Sequence, residues 1–348
     1  MKNLLVITHK VNENDDLMGF FIDWLREFSK YFDQIFVIAH SVGKYNLPSN
    51  VKVYSLNKDM GASRIKRAIK FYLYLFKLVP RSSIIFAHMS PIFVIASWPV
   101  AFMYRKRIIL WYLHRSVTLR LKLAEKLSYK IVTAARESLK LKSAKIVETG
   151  HGINIDKFST DRNWTESKLK IISVGRISRI KNYETLLKAA KIWKDSSVDF
   201  EIKIIGQPMM GEDFAYFESL KSMRESLGLG NLVKFLEFVP HVKMPAYYKQ
   251  SDIAIGLTPD GGIDKTILEA MASGCLVLTS NGINRKYFGD YGNELIFDYR
   301  DPVNLAEKII ALKNSSHDNK KSISDFLIKS VSANHRLENV INRISSLV

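Results

Sequence analysis

Cysteine is almost absent from these 348 residues, with Cys275 alone, so neither a disulfide framework nor a cysteine metal cage can be built, and a reducing cytoplasm suits the chain. Cys275 itself follows small residues at a helix end and reads as core packing rather than as a nucleophile. Long apolar runs are missing too. The first one, Leu4 to Ile7, is interrupted by His9 and Lys10, too short for a signal peptide and better read as a first strand. The longest, Pro91 to Tyr104, is broken off by Arg105, Lys106 and Arg107, short of the roughly 20 residues a membrane span needs. No segment is expected to cross a bilayer. Acidic residues are scarce in the first half: residues 1–150 carry a net charge of +15 and residues 151–348 only +3, out of +18 in all. A basic half can serve nucleic acid, an anionic membrane surface or an acidic substrate, or be ordinary solvated Lys and Arg, and charge alone does not choose among these.

What is present is enough apolar residue, 47% of the chain, for a large core and a length that suggests two domains. Short apolar runs alternate with helical patterns, the signature of βαβ units and parallel sheets. In the first half Leu4 to Thr8, Ile35 to Ile38, Ile84 to Ala87, Ile108 to Leu113 and Lys130 to Thr133 read as strands. The series restarts with Leu169 to Val174, Phe200 to Ile205, Val233 to Leu236, Asp252 to Leu257 and Leu276 to Thr279. Between the two lies the turn-rich segment Gly150 to Lys168, where a hinge is expected. Ligands of open α/β sheets bind beyond the carboxyl ends of the strands, so two such domains should enclose a cleft, lined by residues that follow strands.

Two cations leave one strand end in the second half. After Val174 come Gly175, Arg176 and, five residues on, Lys181, just before a helix beginning near Asn182. A planar Arg fork and a mobile Lys charge suit a diphosphate, although the same spacing also fits a basic surface loop. A second element follows the strand at Asp252 to Leu257. Gly261 and Gly262 let a ligand approach the backbone, Asp264 is placed as an N-cap, and the helical run Lys265 to Ser273 aims its amides and dipole at the site until Gly274 stops it. Glu269 can accept hydrogen bonds from a ribose diol, or be an exposed or packing carboxylate of that helix.

Read together, Ser173-Val174-Gly175-Arg176, Lys181-Asn182, Asp264-Lys265 and Leu268-Glu269-Ala270-Met271-Ala272-Ser273-Gly274 resemble the family 4 retaining glycosyltransferases. The resemblance extends to Asp16-Leu17-Met18-Gly19-Phe20-Phe21, His88-Met89-Ser90-Pro91, His114, and Gly150-His151-Gly152-Ile153 leading to Phe158. It implies a GT-B fold: two Rossmann-like domains with parallel sheets facing across a cleft. Residues 1–160 would bind the acceptor, joined by a C-terminal helix at about 332–348, and residues 161–331 the nucleotide sugar. By the same resemblance Arg176 and Lys181 bind the donor diphosphate, Glu269 the ribose, and His114 faces the sugar. Gly19 sits beside the diphosphate, and Gly261, Gly262, Asp264 and Lys265 belong to the donor site. Catalysis would need no metal and no cofactor. The family's first glutamate would fall at position 261, where this sequence has Gly261, so Asp260 or Asp264 must supply any carboxylate to the sugar; this reads as a subfamily difference in an active hexosyltransferase.

No general base is obvious, which suits a mechanism in which the leaving diphosphate helps deprotonate the incoming hydroxyl. His114 follows the aromatic stretch Trp111-Tyr112-Leu113 and on residues alone also reads as packed; His88 and His151 are weaker candidates. In the basic half, Ala62 to Val79 joins Arg64, Lys66, Arg67 and Lys70 to large apolar residues on one helix. Ile65, Ile69, Tyr72 and Phe76 sit at core spacing, while Phe71, Leu75 and Leu78 extend the apolar surface, as in an interfacial helix or a buried one with snorkelling lysines. With Tyr104-Arg105-Lys106-Arg107 and Lys140-Leu141-Lys142 this points to an anionic leaflet and a glycan or lipid-linked acceptor, hence a cytoplasmic protein peripheral on the membrane. Nucleic acid is not expected as a partner, since no recognised binding signature appears. The rival readings are a non-catalytic basic binder with a vestigial nucleotide pocket and a sugar-nucleotide epimerase.

Overall fold

The computed structural model describes residues 2–15, 17–160, 162, 164 and 168–348; Asp16 of the motif above lies outside them, as do five residues of the Gly150 to Lys168 segment. The chain divides into two compact units: Met1–Asn154 with Pro240–Val242 and His335–Val348, and Ile155–Val239 with Lys243–Asn334.

The first unit is built on β1 (Asn3–Val11), β2 (Gln34–Val42), β3 (Val51–Ser55), β4 (Ile84–His88), β5 (Arg107–Trp111), β6 (Lys130–Thr133) and β7 (Ile146–Glu148). They form one sheet in the order β3-β2-β1-β4-β5-β6-β7, with every neighbouring pair parallel. Parallel strands are covered on both faces, which is why β1 is buried without a break from Leu4 to Thr8. Its side chains alternate between two cores. Leu4 and Val6 join Trp24, Phe28, Val340 and Ile341 on one face; Leu5 and Ile7 join Leu75, Leu78, Val94 and Leu121 on the other. The first face is covered by α1 (Phe21–Phe28) and the helix Leu337–Ser345, the second by α2 (Arg64–Leu78), α3 (Pro91–Met103) and α4 (Leu119–Leu127). The last helix is stitched on by backbone bonds from Ile153 N to His335 O (2.7 Å) and from Leu337 N to Ile153 O (2.8 Å).

Three features depart from expectation. β3 and β7 are edge strands that the sequence reading did not mark, because short half-buried edges carry no continuous apolar run. β5 stops at Trp111 rather than Leu113. In α2 the inward face is Phe71, Leu75 and Leu78, whereas Ile65, Ile69, Tyr72 and Phe76, the residues at core spacing, are exposed. Both stripes are apolar, and helical periodicity alone cannot say which one meets the sheet.

The second unit repeats the plan with β8 (Leu169–Val174), β9 (Phe200–Ile205), β10 (Val233–Leu236), β11 (Ile253–Gly256) and β12 (Leu276–Thr279), all parallel, in the order β10-β9-β8-β11-β12. Four of the five match their expected ranges, and β11 is trimmed by one residue at each end. The helices that concern the site are α5 (Tyr183–Asp195), α6 (Gly211–Ser226) and α7 (Lys265–Ala272). Both sheets are of the Rossmann-like α/β kind. In each, the chain reverses its winding beside the first strand, between β1 and β4 in one unit and between β8 and β11 in the other. The carboxyl ends of these strand pairs are where such sheets hold ligands.

Candidate functional site

In the second unit both sequence elements arrive at the switch point. Ser173 Oγ donates to Ile255 O (2.9 Å), tying β8 to β11 just before the two loops leave the sheet. The β8 loop turns at Gly175, whose φ of +157° favours glycine, with Lys181 Cε 2.9 Å from where a Cβ would stand. Tyr183 OH donates to Gly175 O (2.9 Å) and holds the turn. Arg176 then projects exposed, with no hydrogen bond or ion pair to any described residue. Lys181 closes a short 3₁₀ turn, and Asn182 follows in the left-handed region at φ +45°, a conformation Asn tolerates better than most residues. That explains a Lys-Asn pair in front of α5.

The second loop brings Asp264 to the N-cap position of α7, but its side chain does not cap the helix. It takes an ion pair from Lys181 Nζ (3.1 Å) and a hydrogen bond from Thr258 Oγ1 instead. The expected cap is therefore corrected to a clamp: Asp264 fixes Lys181, and the first-turn amides of α7 remain without a side-chain cap from it. Gly261 and Gly262 have no positive φ, so neither is demanded by a left-handed turn. The loop is held by Gly282 N to Asp260 Oδ1 (2.7 Å) and Asn281 Nδ2 to Gly262 O (2.9 Å). Glu269 is only 3% exposed, and its Oε1 receives Lys265 Nζ at 2.5 Å. Of the donor-site candidates, Lys265 and Glu269 thus form an ion pair over the first turn of α7, Lys181 and Asp264 meet at its start, and Arg176 leaves the adjoining end of β8.

In the first unit Gly19 is buried in the loop after β1, where a Cβ would meet Asp15 O at 2.5 Å; the loop is tied by Met18 N to Asp15 Oδ1 (2.8 Å). His114 stands three residues beyond β5, exposed, its ring 5.7 Å from that of Tyr112, so it is not the packed residue its neighbours suggested. His88 is the packed one. It is fully buried, stacked on Phe21 at 4.0 Å, with Nδ1 3.1 Å from Thr8 Oγ1, and burial pushes its pKa down to about 3. Next to it Met89 holds φ +64°, a strained backbone for a side-chain-bearing residue at the end of β4. His151 is buried, its N–H donating to His335 Nδ1 (3.2 Å), and Gly152 is required twice, by φ +70° and by Trp24, 2.6 Å from where a Cβ would stand. Cys275 is fully buried and its thiol pushed up to about 11, an inert core residue.

Two determinants escaped the sequence reading. Gly206, after β9, has φ +149°, and a Cβ there would fall 1.9 Å from Gly175 O. Tyr183 shapes the Arg176 loop from inside α5. Neither has a charge or motif to announce it. A cavity of about 570 Å³ in this unit is lined by Leu169, Asp252 and Leu276, at the amino ends of the strands. That is the opposite edge from the switch point, so its size does not make it the site.

Residues 154–325 match the model of the family described as glycosyl transferases group 1. Over 180 residues the chain is 26% identical to a D-inositol 3-phosphate glycosyltransferase of Corynebacterium urealyticum, covering 48% of this chain and 42% of that protein. Over 146 residues it is 31% identical to the amylovoran biosynthesis glycosyltransferase AmsK of Erwinia amylovora, 39% of this chain and 34% of that one. The match spans about two fifths of the length of such curated relatives. Among solved structures, Anabaena Alr3699/HepE in complex with UDP and glucose superposes with a TM-score of 0.77 at 15% identity, covering 100% of this chain and 99% of that one. Sucrose-phosphate synthase from Thermosynechococcus elongatus gives 0.76 at 13%, covering 100% and 98%. At these identities the likeness shows a shared fold.

Proposed function

Since the chain belongs to the glycosyl transferases group 1 through residues 154–325, we propose that it is a retaining hexosyltransferase that uses a nucleoside diphosphate sugar. Its acceptor is a glycan or a lipid-linked molecule of cell-surface polysaccharide or glycolipid synthesis. The observation that carries this reading is the Lys181–Asp264 pair at the start of α7, beside the end of β8 from which Arg176 projects, at the β8/β11 switch point. A diphosphate there meets an unpaired guanidinium, an ammonium held by Asp264 at 3.1 Å, and the positive end of a helix. The bond from the anomeric carbon to the phosphate oxygen breaks, and the acceptor oxygen bonds on the same face. The acceptor proton passes to the leaving diphosphate, whose growing charge the two cations stabilise. Glu269, with Lys265, is the ribose contact. Charge stabilisation of this kind needs no metal. The related fold of Alr3699/HepE is known with UDP and with UDP-glucose, which makes uridine donors the first to try.

The first unit is the acceptor side, and we place the protein at the inner face of the cytoplasmic membrane, held by the exposed stripe of α2. No helix among the described residues is long and apolar enough to cross a membrane.

A panel of nucleotide sugars, with released nucleoside diphosphate and product anomer followed by NMR, tests the reading. Losing one preorganised charged donor typically costs about 10²- to 10³-fold in kcat. Arg176→Ala and Lys181→Ala should each fall in that range. Turnover within a few-fold of wild type in both, or conversion of donor without release of diphosphate, would overturn the assignment.

A further inference from the structure

A second basic site lies wholly within the first unit, apart from the donor loops. A cavity of about 240 Å³ opens at the carboxyl ends of β2 and β3, under the first turns of α2 and α3. Leu56, Phe71 and Phe93 give it an apolar lining, and His40, Arg64 and Arg67 line it with nitrogen donors. It stands at the ligand-binding edge of a parallel sheet, beside β1.

Its charge is unbalanced. From residue 60 to residue 124 the sequence contains no Asp or Glu, and the nearest acid before that stretch, Asp59, is exposed. Behind His40 stands His9 of β1, its ring 5.5 Å from that of His40 and 4.8 Å from Phe93. Lys58, which follows β3, donates its backbone N–H to His40 O (2.9 Å) and lowers the pKa of both imidazoles through its charge. Desolvation first, then His9, Arg67 and Lys58, hold His40 at about 4, so near neutral pH it offers a neutral ring N–H. The decisive atom is Arg67 Nε: it is buried and has no acceptor among the described residues. A buried guanidinium N–H without an acceptor is a costly arrangement that native proteins rarely keep unless something else uses it.

We propose that this cavity binds a phosphoryl group, carried by the acceptor substrate. Two guanidinium forks and a neutral imidazole donor, with the charge of Lys58 near His40, suit a dianion with three acceptor oxygens better than a single carboxylate. The cavity has room for the phosphoryl group and the first atoms of its carrier. The exposed Ile92 in its lining suits an amphipathic carrier as well as a soluble one. The anion site stands on its own geometry; only its role as acceptor site rests on the transfer reading.

The test is NMR of the histidine rings in the full chain without donor, with the His40 signal assigned by its loss in His40→Gln. Inorganic phosphate, glycerol 3-phosphate, and vesicles of phosphatidylcholine with or without phosphatidic acid are the probes. A saturable His40 shift is expected, weakened roughly tenfold or more in Arg67→Gln, the usual loss for a hydrogen bond to a charged group. Lys66→Gln, a charge removed on the same helix outside the cavity, should leave the affinity for inorganic phosphate and glycerol 3-phosphate unchanged, and the shift that phosphatidic acid vesicles give to His40 should fall further in Arg67→Gln than in Lys66→Gln. A response to glycerol 3-phosphate supports a soluble phosphorylated ligand. A response only to phosphatidic acid vesicles supports a lipid one. No saturable shift with any probe, or a loss in Lys66→Gln equal to that in Arg67→Gln, overturns the site. UDP binding to the second unit, measured separately by calorimetry, keeps a failure here distinct from a failure of the donor reading.

Discussion

With Gly175 O 1.9 Å from any Cβ and a φ of +149°, Gly206 admits no side chain without moving the loop that carries Arg176. Gly206→Ala should cost about 2 to 4 kcal/mol, from overpacking added to left-handed strain, and weaken donor binding along with it. Urea denaturation and UDP calorimetry would read both; a midpoint equal to wild type would show that the loop yields freely. Arg176 and Lys181 could be picked out in the sequence because cations after a strand have an obvious use. Gly206 could not, since its necessity comes from a neighbouring strand's carbonyl. Asp264 was legible as a position and misread as a role: an N-cap residue normally bonds the helix amides, and here a better partner, Lys181, lies across the loop.

At the scale of elements, α2 asks why a helix should bury Phe71, Leu75 and Leu78 yet keep Ile65 74% and Leu73 64% exposed. An apolar stripe flanked by Arg64, Lys66, Lys70 and Lys77 is the form of an interfacial helix, where each cation near an anionic surface adds about 1 kcal/mol. Leu73→Glu combined with Phe76→Glu should abolish co-sedimentation with anionic vesicles while the thermal midpoint stays near wild type, since both side chains are already in water. Undiminished sedimentation would remove α2 from the membrane reading. The strands were legible wherever burial on both faces writes an unbroken apolar run, as in the central strands β4 and β11. Edge strands β3 and β7 lack that run, and the direction α2 faces is decided by the sheet it packs on rather than by its own pattern.

For the whole molecule, acidity should act first on the unit that contains His88. With its pKa held at about 3 by burial, against roughly 6.5 in the unfolded chain, the unfolded state takes up a proton that the folded state refuses. Its contribution is intact above about pH 6.5 and is lost as pH falls toward 3, by up to about 1.4 kcal/mol per pH unit. His40 and His9, also shifted down, act in the same direction. Denaturation midpoints followed from neutral to acid pH should fall less steeply in His88→Gln than in wild type, and equal slopes would refute the assignment. The two-domain α/β plan was open to sequence reasoning because alternating runs announce parallel sheets. The pairing of His335 and Leu337 with Ile153 was not, since nothing local in the sequence links them.

That pairing makes the second unit an insertion within the first. During synthesis, Trp24 and Phe28 must wait, their sheet face uncovered, until all of the inserted unit has left the ribosome and Val340, Ile341 and Ile344 can dock. The order of assembly is thereby set by chain connectivity: the half that begins first finishes last, and in the interval it is a natural client for a chaperone.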